Sequence, residues 1–185
     1  MELLRRAFSS VLGISFGLII FLTSFFGDYL ITLIMPILFL NRHHLWRSLM
    51  DRAISFWIII PITFLEYIFG VKFKLTGDTI DGDRPAIIIM NHRTRLDWMY
   101  FWAALFKINP HLLISSKIAL KSELRRIPAA GFGMEANQFI FLERKIEEDK
   151  KRISEAVYYY STIGANYQLN GYSTFFVFYY RIVIM

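Results

Sequence analysis

A chain of 185 residues suffices for one compact domain with an appendage and is too short for two full domains, and its lack of cysteine excludes disulfides, thiolate catalysis and cysteine-ligated zinc. Its hydrophobic fraction of 55% and mean hydropathy of +0.40 exceed what a soluble domain ordinarily carries, which points to contact with lipid. The net charge of +6 is uneven, with five basic against four acidic residues in 1–70 and sixteen against eleven in 71–185; a basic excess suits anionic headgroups or phosphates, and no nucleic-acid-binding motif accompanies it.

Val11 to Leu40 is almost wholly apolar, interrupted by Gly27-Asp28 and Pro36. Thirty helical residues would measure roughly 45 Å against a hydrocarbon core of roughly 30 Å, so the segment either tilts into the headgroups or breaks near Gly27-Asp28. A cleaved signal peptide is the rival reading, disfavoured by the length of the run and the lack of a small-x-small cleavage site. A second run, Ala53 to Phe69, contains Pro61 and Glu66 and reads equally well as a short span or an interfacial helix. Between them Asn41 to Arg47 reads as a basic, headgroup-contacting loop with Trp46 as an interfacial aromatic; adjacent His43 and His44 lack a third ligand nearby and imply no metal.

Beyond Gly70 the pattern changes. Val71 to Leu75 alternates as a half-buried strand, Asp78 to Pro85 supplies turn residues, and Ala86 to Met90 reads as a fully buried strand. Leu96 to Phe106 is expected as a packed helix, Gln138 to Leu142 as a strand, and Glu143 to Tyr159 as a charged amphipathic helix with a solvated face. Strands alternating with helices predict an α/β sheet with a site at the strand ends.

The site candidate is Asn91-His92-Arg93-Thr94-Arg95-Leu96-Asp97-Trp98, directly after the buried strand. An imidazole there can take a proton from a hydroxyl, and a carboxylate on its other ring nitrogen would fix the tautomer, so a substrate carrying its own hydroxyl needs no serine or cysteine nucleophile. A turn with Asn91 as a cap and Asp97 bonded to local backbone explains H-x4-D alone equally well. Farther on, Lys121 to Gly131 reads as a basic helix terminus running into a Pro/Gly turn, and Phe139 to Arg144 places an arginine at the end of an apolar strand. Arginine there either grips a phosphate through its planar fork of donors or reaches for water.

The octapeptide resembles the first signature block of the glycerolipid acyltransferases, and N-H-R-T-R-x-D-W is most similar to the lysocardiolipin acyltransferase branch. Lys121, Glu123, Leu124, Pro128 and Gly131 match the family's K-x-E-L-x-x-x-P-x-x-G segment, and Arg144 closes a match to its F-(I/L)-x-R block. The resemblance implies membrane-anchoring apolar segments in 1–70 and a partial α/β acyltransferase domain in 71–169, located in the endoplasmic reticulum membrane. His92 and Asp97 would be catalytic, Arg144 and Lys121 would bind substrate, acyl-CoA would be the co-substrate, and no metal or redox cofactor is implied. A lysophospholipid and membrane lipid are the implied partners.

The family's third block, centred on Glu-Gly-Thr, is expected near residues 173–177, where the chain instead reads Ser173-Thr174-Phe175-Phe176-Val177 within a divergent apolar tail, 170–185. Read this way, the domain is incomplete at its C-terminus and leaves a sheet edge without its neighbouring strand. The competing expectation is therefore a catalytically inactive truncated isoform that acts as a membrane or partner-binding protein.

Overall fold

The computed structural model describes residues 2–78, 80–91, 94 and 96–172. Its first helix, α1 (Glu2–Ile34), runs unbroken through Gly27-Asp28 and stops where Pro36, which has no N–H to donate, opens the short α2 (Pro36–Phe39). Three hydroxyls of this apolar helix bond back within it: Thr23 donates to the Ile19 carbonyl at 2.8 Å, Ser24 to Ile20 at 2.8 Å and Thr32 to Asp28 at 2.8 Å.

The third helix, α3 (His43–Thr63), tolerates Pro61 and loosens into a π turn over Phe64–Ile68, ending at Gly70, whose φ of 68° suits a helix terminator. It returns antiparallel along α1. Phe16 meets the rings of Phe64 and Phe69, the Trp57 indole donates to Thr23 Oγ1 at 3.1 Å, and Ile31 packs with Trp46 and Met50. Two stretches, Phe8–Phe39 and His43–Ile68, are long and apolar enough to cross a membrane. They differ in surroundings: α1 exposes Phe8, Val11, Ile14, Leu18 and Phe21, whereas α3 buries Ile58 and Ile62 in the main core.

The expected loop Asn41–Arg47 is not a headgroup loop at its far end. His43 onward is helical, and Trp46 and Arg47 are buried. Val71–Lys74 keeps its alternation of half-buried and exposed residues, with Phe73 against the core, while Leu75 is exposed, and among the described residues the segment pairs with no strand; alternation reports burial and not a ladder.

Among the described residues, four parallel strands form the sheet: β1 (Ala86–Met90), β2 (Ser116–Lys121), β3 (Ile140–Leu142) and β4 (Gln168–Tyr172), in the order β1-β4-β2-β3. Strand β4 lies in the interior, Ile88 and Ile118 both pairing with Asn170, and it runs past Leu169 into the expected divergent tail as far as Tyr172, while the rest of that tail lies outside the described residues. Connections are α4 (Asp97–Ile108) and α5 (Leu112–Ser115) after β1, a 3-10 turn (Ser122–Arg126) and α6 (Ala130–Ala136) after β2, and α7 (Ile146–Thr162) after β3.

Successive residues of β2 feed opposite faces, as the strand period requires. Ile118 joins Trp102, Leu105, Leu112 and the α3 pair Ile58 and Ile62, while Ala119 joins Ile140, Leu142 and Leu169 under Ile153 and Ala156 of α7. The result is three layers, with α3 and α4 on one face and α7 on the other.

Candidate functional site

Because all four strands are parallel, their carboxyl ends share one edge, the place where open α/β sheets bind ligands. Lys121 ends β2 opposite Leu142, Arg144 lies two residues beyond β3, and Asn91 follows β1. At a strand spacing of about 4.8 Å, β1 and β2 stand roughly 10 Å apart with β4 between them. His92 lies outside the described residues; its chain neighbour Asn91 is at this edge.

Asp97 opens α4 and its carboxylate is held by Thr94, whose N–H donates to Oδ2 at 2.8 Å and whose hydroxyl donates to Oδ1 at 2.7 Å. Thr94 Oγ1 in turn accepts from the Leu96 N–H at 3.3 Å. This T-x-x-D arrangement resembles a capping box, and a negative charge in the first turn complements the helix dipole. Each carboxylate oxygen can accept more than one hydrogen bond, so a cap does not exclude a second role in orienting an imidazole. The local-backbone reading and the catalytic reading of Asp97 are therefore compatible. The part played by Thr94 was not anticipated from the sequence, although the T-x-x-D spacing was there to signal it.

The Lys121 segment departs from the expected helix terminus: Lys121 is the last residue of β2, and the helical turn after it is 3-10. Its ammonium pairs with Glu123 Oε1 at 2.8 Å. That hydrogen bond is the largest influence holding the Glu123 carboxyl below the usual carboxylate range, with the Glu123 backbone N–H and the positive fields of Lys121 and Arg144 adding to it. The structure thus groups Lys121, Glu123 and Arg144 into one charged cluster.

The motif's glycine has a steric reason. A Cβ at Gly131 would lie 2.1 Å from the Arg125 carbonyl oxygen, so only glycine lets α6 start against the 3-10 turn. Ala129, at φ 65°, bends the chain into that approach, and the Arg125 guanidinium pairs with Glu135 across it.

Arg144 itself has φ 63°, a left-handed conformation uncommon for arginine, in the turn from β3 to α7. Side chains of α7 fix that turn: Asp149 Oδ1 accepts from the Glu143 N–H at 2.8 Å, and Arg152 donates to the Phe141 carbonyl at 2.9 Å and pairs with Glu143 at 2.6 Å. A constrained backbone carrying a cation at a sheet edge is the kind of strain that accompanies binding sites. Chemically, the edge offers an anchored carboxylate at one end and a guanidinium and an ammonium suited to an anion at the other.

Residues 72–168 match the family model described as Acyltransferase. The chain is 52% identical over 159 residues to lysophosphatidylinositol acyltransferase 10 of Caenorhabditis elegans, covering 86% of this chain and 41% of that protein. It is 40% identical over 158 residues to lysocardiolipin acyltransferase 1 of Gallus gallus, covering 85% and 41%, and 31% identical over 101 residues to probable 1-acyl-sn-glycerol-3-phosphate acyltransferase 5 of Arabidopsis thaliana, covering 55% and 26%. The chain spans about two fifths of the length of the first two relatives. No solved structure matches it.

Proposed function

This chain belongs to the acyltransferase family, and on that premise we propose that it transfers an acyl chain from acyl-CoA to the hydroxyl of a lysophospholipid at a membrane, with the endoplasmic reticulum as its location. The observation that carries this reading is the shared carboxyl edge of the sheet, which carries the Thr94-held Asp97 shortly after the strand that leads to His92 and the Lys121 and Arg144 cations at the ends of β2 and β3, two and three strands along the same edge. In the proposed step His92 takes the proton of the lysophospholipid hydroxyl, the oxygen forms a bond to the thioester carbonyl carbon, and the carbon–sulfur bond breaks. The thiolate of CoA leaves and accepts the proton. Asp97 orients His92 and stabilises the imidazolium, while Arg144 and Lys121 hold the acceptor phosphate.

A base of this kind contributes about 10²–10⁴-fold, the rest coming from positioning and from stabilisation of the developing oxyanion. The exposed apolar face of α1 supports attachment to lipid, where a lysophospholipid resides. The test is labelled acyl-CoA supplied with lysophosphatidylinositol, lysocardiolipin or lysophosphatidic acid to the reconstituted chain and its variants. His92→Ala and Asp97→Asn should abolish transfer with the fold intact, and Arg144→Ala should raise KM for the acceptor more than it lowers kcat. Unchanged rates in the first two variants would remove the proposed dyad, and no transfer by the folded parent would favour the non-catalytic reading.

A further inference from the structure

At the opposite, amino-terminal end of the sheet lies a group of buried charges that the proposed reaction does not use. Lys117, the second residue of β2, has no exposed surface and donates from Nζ to Asp51 Oδ1 at 2.7 Å and to the Asn137 carbonyl and Oδ1, each at 3.0 Å. Asp51 also accepts from Arg47 at 2.7 Å and from the Tyr167 hydroxyl at 2.5 Å. Arg47 reaches the Ala136 carbonyl at 2.7 Å, and the Lys117 ammonium sits 4.3 Å from the centre of the Tyr167 ring. Nearby, Tyr160 of α7 donates to the Gln138 carbonyl at 2.7 Å. Helix α3, strand β2 and the approach to β4 therefore meet at one carboxylate, and the α6–β3 junction joins them through the two cations.

Such a group is a poor source of stability. Desolvating two cations and an anion roughly cancels their attraction, apolar replacements of similar volume are often neutral or stabilising, and Arg47 Nε has no hydrogen-bond partner among the described residues. What directional contacts supply, and the apolar contacts of Ile58 and Ile62 do not, is a single register. Arg47 and Asp51 belong to the same helix, so their own pair cannot tie α3 to anything; the ties are Lys117 to Asp51, Tyr167 to Asp51, and Arg47 to the Ala136 carbonyl and, at 3.4 Å, to Asn137 Oδ1.

We propose that the Arg47–Asp51–Lys117–Tyr167 cluster is a positioning lock that sets the axial register and rotation of α3 on the sheet, and with it the attitude of the apolar α1–α3 hairpin toward the carboxyl edge that holds Lys121 and Arg144. Its consequence for catalysis rests on the acyltransferase reading above: the lock matters for an acceptor embedded in a bilayer, whose hydroxyl must meet the site at a fixed height, and not for an acceptor free in solution.

The absence of cysteine makes a direct test simple. Spin labels on cysteines introduced at exposed Phe56 of α3 and Tyr158 of α7 report the helix position in the full chain reconstituted in phosphatidylcholine nanodiscs. The parent should give one narrow distance. Arg47→Met/Asp51→Leu/Lys117→Met should remain folded yet gain a second distance, displaced by about one helical turn, ~5.4 Å. If that variant does not fold, Lys117→Met and Tyr167→Phe, each of which removes a tie without leaving a charge unpaired, should each broaden the distribution. Unchanged widths in whichever folded variants are measured would overturn the lock.

A separate activity arm compares a bilayer-embedded lysophospholipid with a short-chain one dispersed as monomers. The lock predicts that kcat with the embedded acceptor falls while kcat with the soluble acceptor is retained; equal losses on both would overturn the catalytic consequence. Absence of activity in the parent would count against the acyltransferase reading alone, since the distance measurement does not depend on turnover.

Discussion

Replacing Gly131 with alanine puts the steric account of the Lys121–Gly131 segment to a quantitative test. The added methyl would sit 2.1 Å from the Arg125 carbonyl oxygen and 2.8 Å from its carbon, both backbone atoms that cannot swing away as a side chain would. Relief requires α6 to part from the 3-10 turn, which strains the Gly131 N–H bond to the Ile127 carbonyl at 2.9 Å and the Arg125–Glu135 pair. Overpacking ordinarily costs about 1–3 kcal/mol, and an obstacle made of backbone places this case at about 3 kcal/mol, a fall in Tm of roughly 6–12 °C for a chain of this length. Gly133, two residues on in the same helix, supplies the control: a Cβ there meets its nearest neighbour, Asp28 Oδ1, at an ordinary 3.6 Å. Gly133→Ala should be neutral or should gain up to about 1 kcal/mol from helix propensity. Thermal melts of both variants in the same detergent make the comparison. Equal Tm values for Gly131→Ala and the parent would refute the claim that this glycine is demanded by close approach.

Three further outcomes follow from particular side chains. Asn170, fully buried in the central strand, donates to Ser116 Oγ at 2.7 Å but leaves its own Oδ1 without a partner among the described residues; Asn170→Leu with Ser116→Ala should raise stability by about 1–3 kcal/mol in denaturant unfolding, and a loss would show the amide to be satisfied. Thr94→Ala removes the hydroxyl bond to Asp97 Oδ1 and the Leu96 N–H bond to that hydroxyl while keeping the backbone bond to Oδ2, and should cost about 1 kcal/mol of stability, read in the same melts, an unchanged Tm being the contrary result. Burial pushes the Lys117 amine down to about 8 against the attraction of Asp51, so between pH 8 and the ordinary lysine value the unfolded chain binds more protons than the folded one and stability rises with pH. The Tm of the parent should therefore climb relative to that of Lys117→Met from pH 8 to pH 10, whereas parallel curves would place the lysine in a less costly environment. Tyr160 and Tyr167, whose hydroxyls burial holds above the ordinary tyrosine range, act in the opposite direction as pH approaches 10, and because both are present in the two proteins the comparison with Lys117→Met isolates the lysine.

Local pattern made β1 legible to the residue, because a continuous apolar run bounded by turn residues has few other uses. The helix expected over Leu96–Phe106 appears as α4, and that over Glu143–Tyr159 begins three residues later, after the turn that Asp149 and Arg152 hold. Pairing was not legible: Val71–Leu75, alternating in sequence, has no partner strand among the described residues, and β4 takes an interior place although it carries Asn170 and Gly171. Nor was the environment of isolated charges. Arg47 looked like a headgroup contact because its neighbours are basic, and only the fold shows it buried beside Asp51 one helical turn away. An i,i+4 Arg–Asp pair ahead of a long apolar run, with a lysine inside Ser-Lys-Ile-Ala-Leu-Lys, was the available signal. At the site, strand ends could be read from pattern, and the parallel topology then placed Lys121 and Arg144 along one edge. Thr94 holding Asp97 required coordinates, and His92 lies outside the described residues.

The central claim is acyl transfer to a lysophospholipid, and the most direct measurement follows both products in one reaction. The intact chain, reconstituted in phosphatidylcholine vesicles, is given acyl-labelled acyl-CoA and lysophosphatidylinositol, and label in phospholipid is counted beside free thiol released. The account predicts label entering the phospholipid in equimolar step with thiol, and neither signal above background for folded His92→Ala. Thiol release without labelled phospholipid would indicate hydrolysis, and no release by the folded parent would indicate no catalysis; either result contradicts the claim.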